Sequence, residues 1–265
     1  MEYHVIDAFT DKLFSGNPAG VCFFDSRIGD NIMQNIAAEN NLSETAFLLK
    51  QAEDCYSLCW FTPTVEADLC GHATLASAFV LFDDKEKNAA ELKFDTASGE
   101  LIVTRDGDWL CLNFPASPPR ECPAQPEINK ALDVEPAAVF ESIDFLVLVE
   151  NEETLRRLTP DFSALYKLSC NGNIPGLGII VTAPGTDCDF VSRYFFPPDE
   201  YAQEDSVTGR AHCTLTPFWS KKLGKKIMNA RQLSKRGGVL RCEDCGDRVK
   251  ISGKAVRYLK GTIVL

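Results

Sequence analysis

DLCGHATLASAFVLF, residues 68–82, is apolar on nearly every side from Ala73 onward. A helix at a protein surface keeps one polar face, whereas a helix that is apolar all round is enclosed by other structure. The stretch therefore predicts a central helix wrapped by a sheet. Its first turn differs in kind, because it carries Cys70, Gly71 and His72, one of three histidines in the chain.

A second stretch has the same layout. Phe61-Thr-Pro63 leads to Glu66 and Asp68, then to Gly71 and the apolar helix, and Phe196-Pro-Pro198 leads to Glu204 and Asp205, then to Gly209 and a helical pattern ending SKKLGK. Gly99 is followed eight positions on by Gly107-Asp108, and Gly238 eight positions on by Gly246-Asp247. Gly71 and Gly99 are 28 residues apart, Gly209 and Gly238 29. Four matches in one order predict an internal duplication. The proline-rich PASPPRECPAQPE, 115–127, reads as a linker and sets the expected halves at 1–118 and 119–265, with the last strand able to return to the first half.

Around the two helices, aromatic and β-branched runs bounded by Gly, Asp and Pro predict strands. They are YHVIDAF, ETAFLLKQ, YSLCWFT, LKFDT, LIVTR and WLCLNF, then FESIDFLVLVEN, GIIVTAP, CDFVSRYFF, VLRC, RVKIS and KGTIVL. Short helices are expected at 31–40, 126–133 and 153–158. The fold class is α+β: two pseudo-symmetric halves, each a curled, mostly antiparallel β-sheet or barrel around a central α-helix, with a ligand cleft between them.

Composition narrows the function. A 265-residue chain with 45% hydrophobic and 25% charged residues fills a globular core. A net charge of −11 excludes a nucleic-acid groove and obliges any site for an anion to build its positive potential locally. No run approaches about 18 apolar residues, so no membrane span is expected. Eleven scattered cysteines behind an N-terminus without an apolar leader fit buried thiols in a reducing, cytoplasmic compartment. Cys242 and Cys245 form one CxxC with no second pair, so no metal is expected there. The GLG at 176–178 is only a fragment of a dinucleotide fingerprint, and neither GxxxxGK[ST] nor GxSxG occurs. No cofactor is expected.

What remains is side chains and backbone dipoles. Helix starts at Gly71 and Gly209 offer unpaired N–H groups at the positive end of a dipole, a cradle for a carboxylate; equally, both glycines serve as tight turns into a helix. His72 reads either as a general acid or hydrogen-bond donor, or as a histidine satisfied by a nearby carboxylate. Asp205 and Glu204 read as partners of His72 or as helix-capping groups. Glu44, at the start of an apolar strand, is either a partly desolvated proton carrier or a solvated carboxylate.

VIDAFTDKLFSGNPAGV, NNLSETAFLL, WFTPTVEADLCGHATLASAFVLF, EDSVTGRAHCTLTPFWSKKLG and KGTIVL resemble the phenazine-biosynthesis isomerase family, the PhzF-like proteins. The resemblance spans the chain and implies the diaminopimelate epimerase fold, a homodimer, and a cofactor-independent isomerase acting on a small carboxylate. It implies that Glu44 is the catalytic acid/base, that His72 and Asp205 assist, and that Gly71 and Gly209 surround the substrate carboxylate. Asn17, in SGNPAG, falls in a cleft-lining segment. Relatives often read TGSA where this chain reads TGRA, so Arg210 either clamps an acidic ligand or fills the pocket. Cys70 stands where related epimerases place one of two catalytic thiols, but Thr208 stands at the other place. The competing functions are a two-base thiol epimerase and a catalytically idle protein that binds a small acid.

Overall fold

In the computed structural model, which describes residues 1–174, 178–197 and 204–265, the chain forms two units, Met1–Asn113 with Ile251–Leu265, and Phe114–Lys250. The first contains β1 (Glu2–Ala8), β2 (Asn17–Phe24), α1 (Asp30–Asn40), β3 (Glu44–Ala52), β4 (Cys55–Phe61), β5 (Glu66–Ala67), α2 (Gly71–Val80), β6 (Glu91–Thr96), β7 (Gly99–Asp106) and β8 (Trp109–Pro115). The second contains β9 (Arg120–Glu121), α3 (Pro126–Leu132), β10 (Ala138–Glu141), β11 (Phe145–Leu148), α4 (Glu152–Arg157), α5 (Phe162–Cys170), β12 (Ile179–Pro184), β13 (Phe190–Phe195), β14 (Glu204–Asp205), α6 (Gly209–Leu223), β15 (Ile227–Gln232) and β16 (Gly238–Asp244). β17 (Arg248–Gly253) leads back to the first unit, where β18 (Ala255–Thr262) pairs with β1.

Strand pairing in the first unit runs β18–β1–β2–β3–β4–β6–β7–β8, parallel only at β2/β3 and β4/β6. In the second it runs β9–β10–β11–β12–β13–β15–β16, parallel only at β11/β12 and β13/β15. The same order and sense recur, so the halves are pseudo-symmetric. Parallel neighbours need a crossover, and each parallel pair here is bridged by helix: α1, then α2, in the first unit, and α4 with α5, then α6, in the second. Of the two forms expected, sheet or barrel, the open sheet is the one found. Among the described residues no pairing joins the first strand of either series to the last, so each sheet is open and neither is a barrel.

α2 is buried from His72 to Ala78 and again at Val80, and it packs on β1, β2, β3 and β18. Its two buried hydroxyls are satisfied within the helix: Thr74 Oγ1 donates to the Cys70 carbonyl (2.6 Å) and Ser77 Oγ to that of Ala73 (2.7 Å). α1 turns Met33, Ile36 and Ala37 toward Tyr3, Val5, Cys22, Phe47 and Phe61. In the second unit α3, α4 and α5 bury Leu132, Leu155 and Leu165 against Phe145, Val147 and Ile179. α6 carries Pro217, which cannot donate to the carbonyl of Cys213. The backbone N–H of Ser117 fills that acceptor at 3.0 Å, and Ala116 N–H donates to the Asp247 carbonyl at 2.9 Å. The proline-rich segment is therefore pinned rather than a free tether.

Besides the two-residue strands β5, β9 and β14, three longer elements escaped the sequence. β2 opens on NPAG, β15 is IMNARQ, and α5 follows a Pro-Asp pair, so none carries a strong local signal. The last strand lies earlier than KGTIVL suggests, ending at Thr262. The GLG glycine Gly176 and Pro198 of the repeat lie outside the described residues. No described helix is long and apolar enough to cross a membrane. All eleven cysteines are free thiols.

His212 of α6 is fully buried, and its Nδ1–H donates to the Thr208 carbonyl at 2.8 Å. Burial pulls this imidazole down to about 4, so it stays neutral in the folded protein while the unfolded chain protonates it below about 6.5. Stability is complete above pH 6.5 and falls, by on the order of 3 kcal/mol, as the pH drops through 4. An NMR titration of the His212 ring checks this: protonation near pH 6.5 would contradict it.

Candidate active site

Glu44 is the first residue of β3 and lies in parallel register with Ala19 of β2. Asn17, two residues before Ala19 and hence on the same face, is fully buried at the start of β2. The helix α2 crosses β2 and β3 and brings its first turn to Glu44. The N-cap of α2 is Cys70 in an extended conformation (φ −137°, ψ 105°); no side chain caps the helix, and its first turn holds no acidic residue. Gly71 is the first helical residue. His72 follows and is buried, its Nδ1 at 3.4 Å from Cys70 Sγ and its Nε2 at 3.2 Å from Glu44 Oε2. Although that last distance is an ion-pair distance, Glu44 Oε2 and His72 Nε2 make no hydrogen bond, because the oxygen lies off the N–H direction.

The electrostatics favour a cationic ring. Burial alone would lower the His72 imidazole, but the Cys70 and Glu44 partners outweigh it and hold the ring well above its ordinary value. Cys70 itself is pushed up, first by complete burial and then by the Glu44 charge. Its sulfur is thus a neutral thiol at neutral pH.

In the second unit Asp205, on β14, lies opposite Tyr194 of β13. Its carboxylate accepts from Thr208 Oγ1 at 2.5 Å, and its carbonyl accepts from Gln232 Nε2 at 2.9 Å. Gln232 Oε1 in turn accepts the Thr208 N–H at 2.9 Å. Thr208 is the N-cap of α6, extended like Cys70 (φ −111°, ψ 99°), again with no side-chain cap and no acidic residue in the first turn. Gly209 is the buried first residue of this helix. Glu204, the other carboxylate of the pair, is held by a fork from Arg193 at 2.7 and 2.9 Å.

Arg210 is already engaged. Its NH2 group donates to Asp144 Oδ1 at 3.3 Å and to the Tyr194 hydroxyl, which itself donates to Asp144 Oδ1 at 3.1 Å. Asp144 is fully buried, and burial raises its carboxyl despite the opposing charge of Arg210. The geometry makes Arg210 first of all the counter-ion of a buried aspartate.

The structure thus gathers Glu44, Cys70 and His72 in the first unit, with Gly71 between the last two and Asn17 on the neighbouring strand β2, and Asp205, Gly209 and Arg210 around the start of α6 in the second. Sequence reasoning missed Asp144, Tyr194 and Gln232. The available signal was an aspartate inside the apolar run FESIDFLVLVEN. Cys213 donates its thiol to the Gly209 carbonyl of its own helix at 3.9 Å, and burial pushes it up to about 12. One ligand atom each from Glu44, Cys70 and His72 lies within 4.8 Å of the others, as for Glu2, His4 and Asp84. In the latter set Lys85 (2.7 Å) and Lys260 (2.9 Å) already hold the carboxylates of Glu2 and Asp84.

A family profile described as phenazine biosynthesis-like protein (PhzC-PhzF) matches residues 6–261. An uncharacterized isomerase of Pseudomonas aeruginosa is 47% identical over 260 residues, covering 98% of this chain and 97% of its own. The crystal structure of a phenazine biosynthesis protein of the PhzF family from Enterococcus faecalis superposes with a TM-score of 0.95 at 44% identity, covering 100% of this chain and 99% of the other. A hydroxyproline epimerase from Agrobacterium vitis shares the fold, with a TM-score of 0.62 at 11% identity over 98% of this chain and 91% of its own.

Proposed function

The chain belongs to the PhzC-PhzF family of phenazine biosynthesis-like proteins and is an isomerase, and from that premise we propose that it moves a proton between carbons of a small carboxylate-bearing metabolite without a cofactor. Glu44 is the acid/base of this reading. The observation that carries it is the position of Glu44 Oε2, 3.2 Å from a protonated His72 and bound by no hydrogen bond, with the Glu44 side chain 21% exposed.

His72 stands against the buried oxygen of the carboxylate, while the exposed edge of Glu44 meets the substrate C–H as its base. The carboxylate takes that proton and leaves the electron pair on a conjugated carbon skeleton. A proton from the same carboxyl, which exchanges with solvent while it is held there, then returns to a different carbon, so Glu44 ends as it began. The uncapped first turn of α2 at Gly71 supplies N–H groups and a positive dipole end for the substrate carboxylate or the charge that develops on it. The start of α6 is built alike at Gly209, and Asp205, through Thr208, is the assisting carboxylate. Arg210, matched to Asp144, shapes the surface at α6 rather than reaching for a second acid. Free thiols throughout support a reducing, cytoplasmic setting, and family membership supports a homodimer.

The test is solvent exchange. The protein is incubated in D2O with a panel of small unsaturated, 2-amino and 2-hydroxy carboxylic acids, and each is followed by NMR. Deuterium is expected at the accepting carbon of the acid that is isomerised. A folded protein that exchanges no member of a broad panel counts against the reading.

The two-base thiol mechanism is disfavoured by one observation: Cys70 is a buried neutral thiol and its counterpart at the α6 N-cap is Thr208. Under that mechanism Cys70→Ser abolishes exchange; under the Glu44 reading it lowers exchange and leaves it measurable.

A further inference from the structure

We propose that Glu44, Cys70 and His72 form a binding site for a single borderline-soft divalent ion of the Zn2+ type, and that the bound ion switches the enzyme off. The second half rests on the proton-transfer reading above; the first does not.

Thiolate, imidazole and carboxylate are the donors zinc takes, and three protein ligands with one open position is a zinc arrangement in its own right. The spacing fits. Ligands about 2.0–2.1 Å from a tetrahedral ion stand about 3.3 Å apart, and His72 Nε2 and Glu44 Oε2 stand 3.2 Å apart. Cys70 Sγ lies 3.4 Å from Nδ1, the other nitrogen of that ring, and one ligand atom of each residue falls within 4.8 Å of the other two, so one side chain must rotate to bring all three donors onto one ion. Local adjustment of a side chain, with no change of backbone, closes such a set around one ion.

The second observation is independent of the distances. His72 is 6% exposed, yet its Nε2 has no hydrogen-bond partner, and neither has the buried Glu44 Oε2 that faces it. Two polar atoms thus converge without satisfying each other. No Lys or Arg pairs with Glu44 among the described ion pairs, in contrast to the Glu2–His4–Asp84 set, where lysines already occupy the carboxylates. The exposed edge of Glu44 provides the way in and the open coordination position.

Binding forms metal–sulfur, metal–nitrogen and metal–oxygen bonds. The Cys70 thiol and the His72 imidazolium each release one proton to solvent, because both must be deprotonated to bind. The ion then binds Glu44 Oε2 and draws charge from the carboxylate whose exposed edge would take the substrate proton. Mg2+ and Ca2+, which seek six or more oxygen ligands, do not fit this donor set.

The experiment uses the full chain with Cys170→Ser and Cys245→Ser, which removes the two exposed thiols, and titrates it with CoCl2. A thiolate-to-cobalt charge-transfer band is expected at one equivalent, displaced by ZnCl2 and untouched by MgCl2. Adding Cys70→Ser should remove the band, and His72→Ala should weaken cobalt binding by at least about 10–100-fold, with circular dichroism confirming that both variants fold. No band in the parent, or a band that survives Cys70→Ser, overturns the site. In the exchange assay one equivalent of Zn2+ should lower the rate tenfold or more, reversed by EDTA; an unchanged rate at saturating Zn2+ overturns the inhibition. Absence of exchange in the metal-free protein sinks the inhibition together with the reading it rests on, while the cobalt band alone sustains the site.

Discussion

Glu44→Gln is expected to lower solvent-deuterium exchange into the substrate by about 10²–10⁴-fold, the range contributed by a positioned acid/base. The amide keeps the shape of the side chain but cannot take a proton at the donor carbon. Since Glu44 is partly exposed at a strand end, the variant should fold with little loss of stability. A second readout separates a proton carrier from a structural group. Cys70 and Glu44 beside it hold His72 above its ordinary value, and the variant removes the Glu44 share. In the variant its ring should therefore lose its proton at lower pH, visible as a shifted NMR titration. The sign follows from the direction of the shift: the ion pair adds stability that is complete below about pH 6.5 and is lost as the pH rises through the raised value of His72. Exchange within tenfold of the wild-type rate would remove Glu44 from the mechanism.

Arg210→Ala carries the largest expected effect on stability. It leaves Asp144 buried beside Tyr194 with no cation. Breaking a buried pair costs about 3–5 kcal/mol; because Arg210 is 35% exposed, we expect about 2–4 kcal/mol here. Burial already raises the Asp144 carboxyl, and loss of Arg210 raises it further. The cost should therefore be small at acidic pH, where the carboxyl is neutral in both proteins, and grow as the pH rises through the raised value toward 7. Urea unfolding at pH 4 and pH 7 measures it. Asp144→Asn in the Arg210→Ala background should recover most of the loss at pH 7, because it removes the orphaned charge. A destabilisation equal at both pH values, or no recovery in the double variant, would show that the pair is not what Arg210 is for.

Periodicity and local chemistry carried much of this protein's form. The apolar run 68–82 was sufficient to announce a buried helix, because burial on all sides forbids a polar face, and α2 is enclosed from His72 to Ala78. The matching layout around Gly71 and Gly209 reappears as two open sheets of one strand order, and NLSET and GHAT mark the residues that meet at His72. Other features have no local signature. Open sheet and closed barrel share one alternating pattern, since closure depends on which edge strands meet. Ile227–Gln232 became a strand because parallel pairing with β13 supplied its partner. Likewise Asp144 and Arg210 are 66 residues apart, and only the register of the strands between them decides that a cation standing where relatives often carry serine neutralises a buried aspartate. Sequence determined most of the longer elements and the reactive residue types, because both depend largely on neighbours along the chain. Tertiary structure alone decided which charge faces which, because a pairing is a property of distance in space.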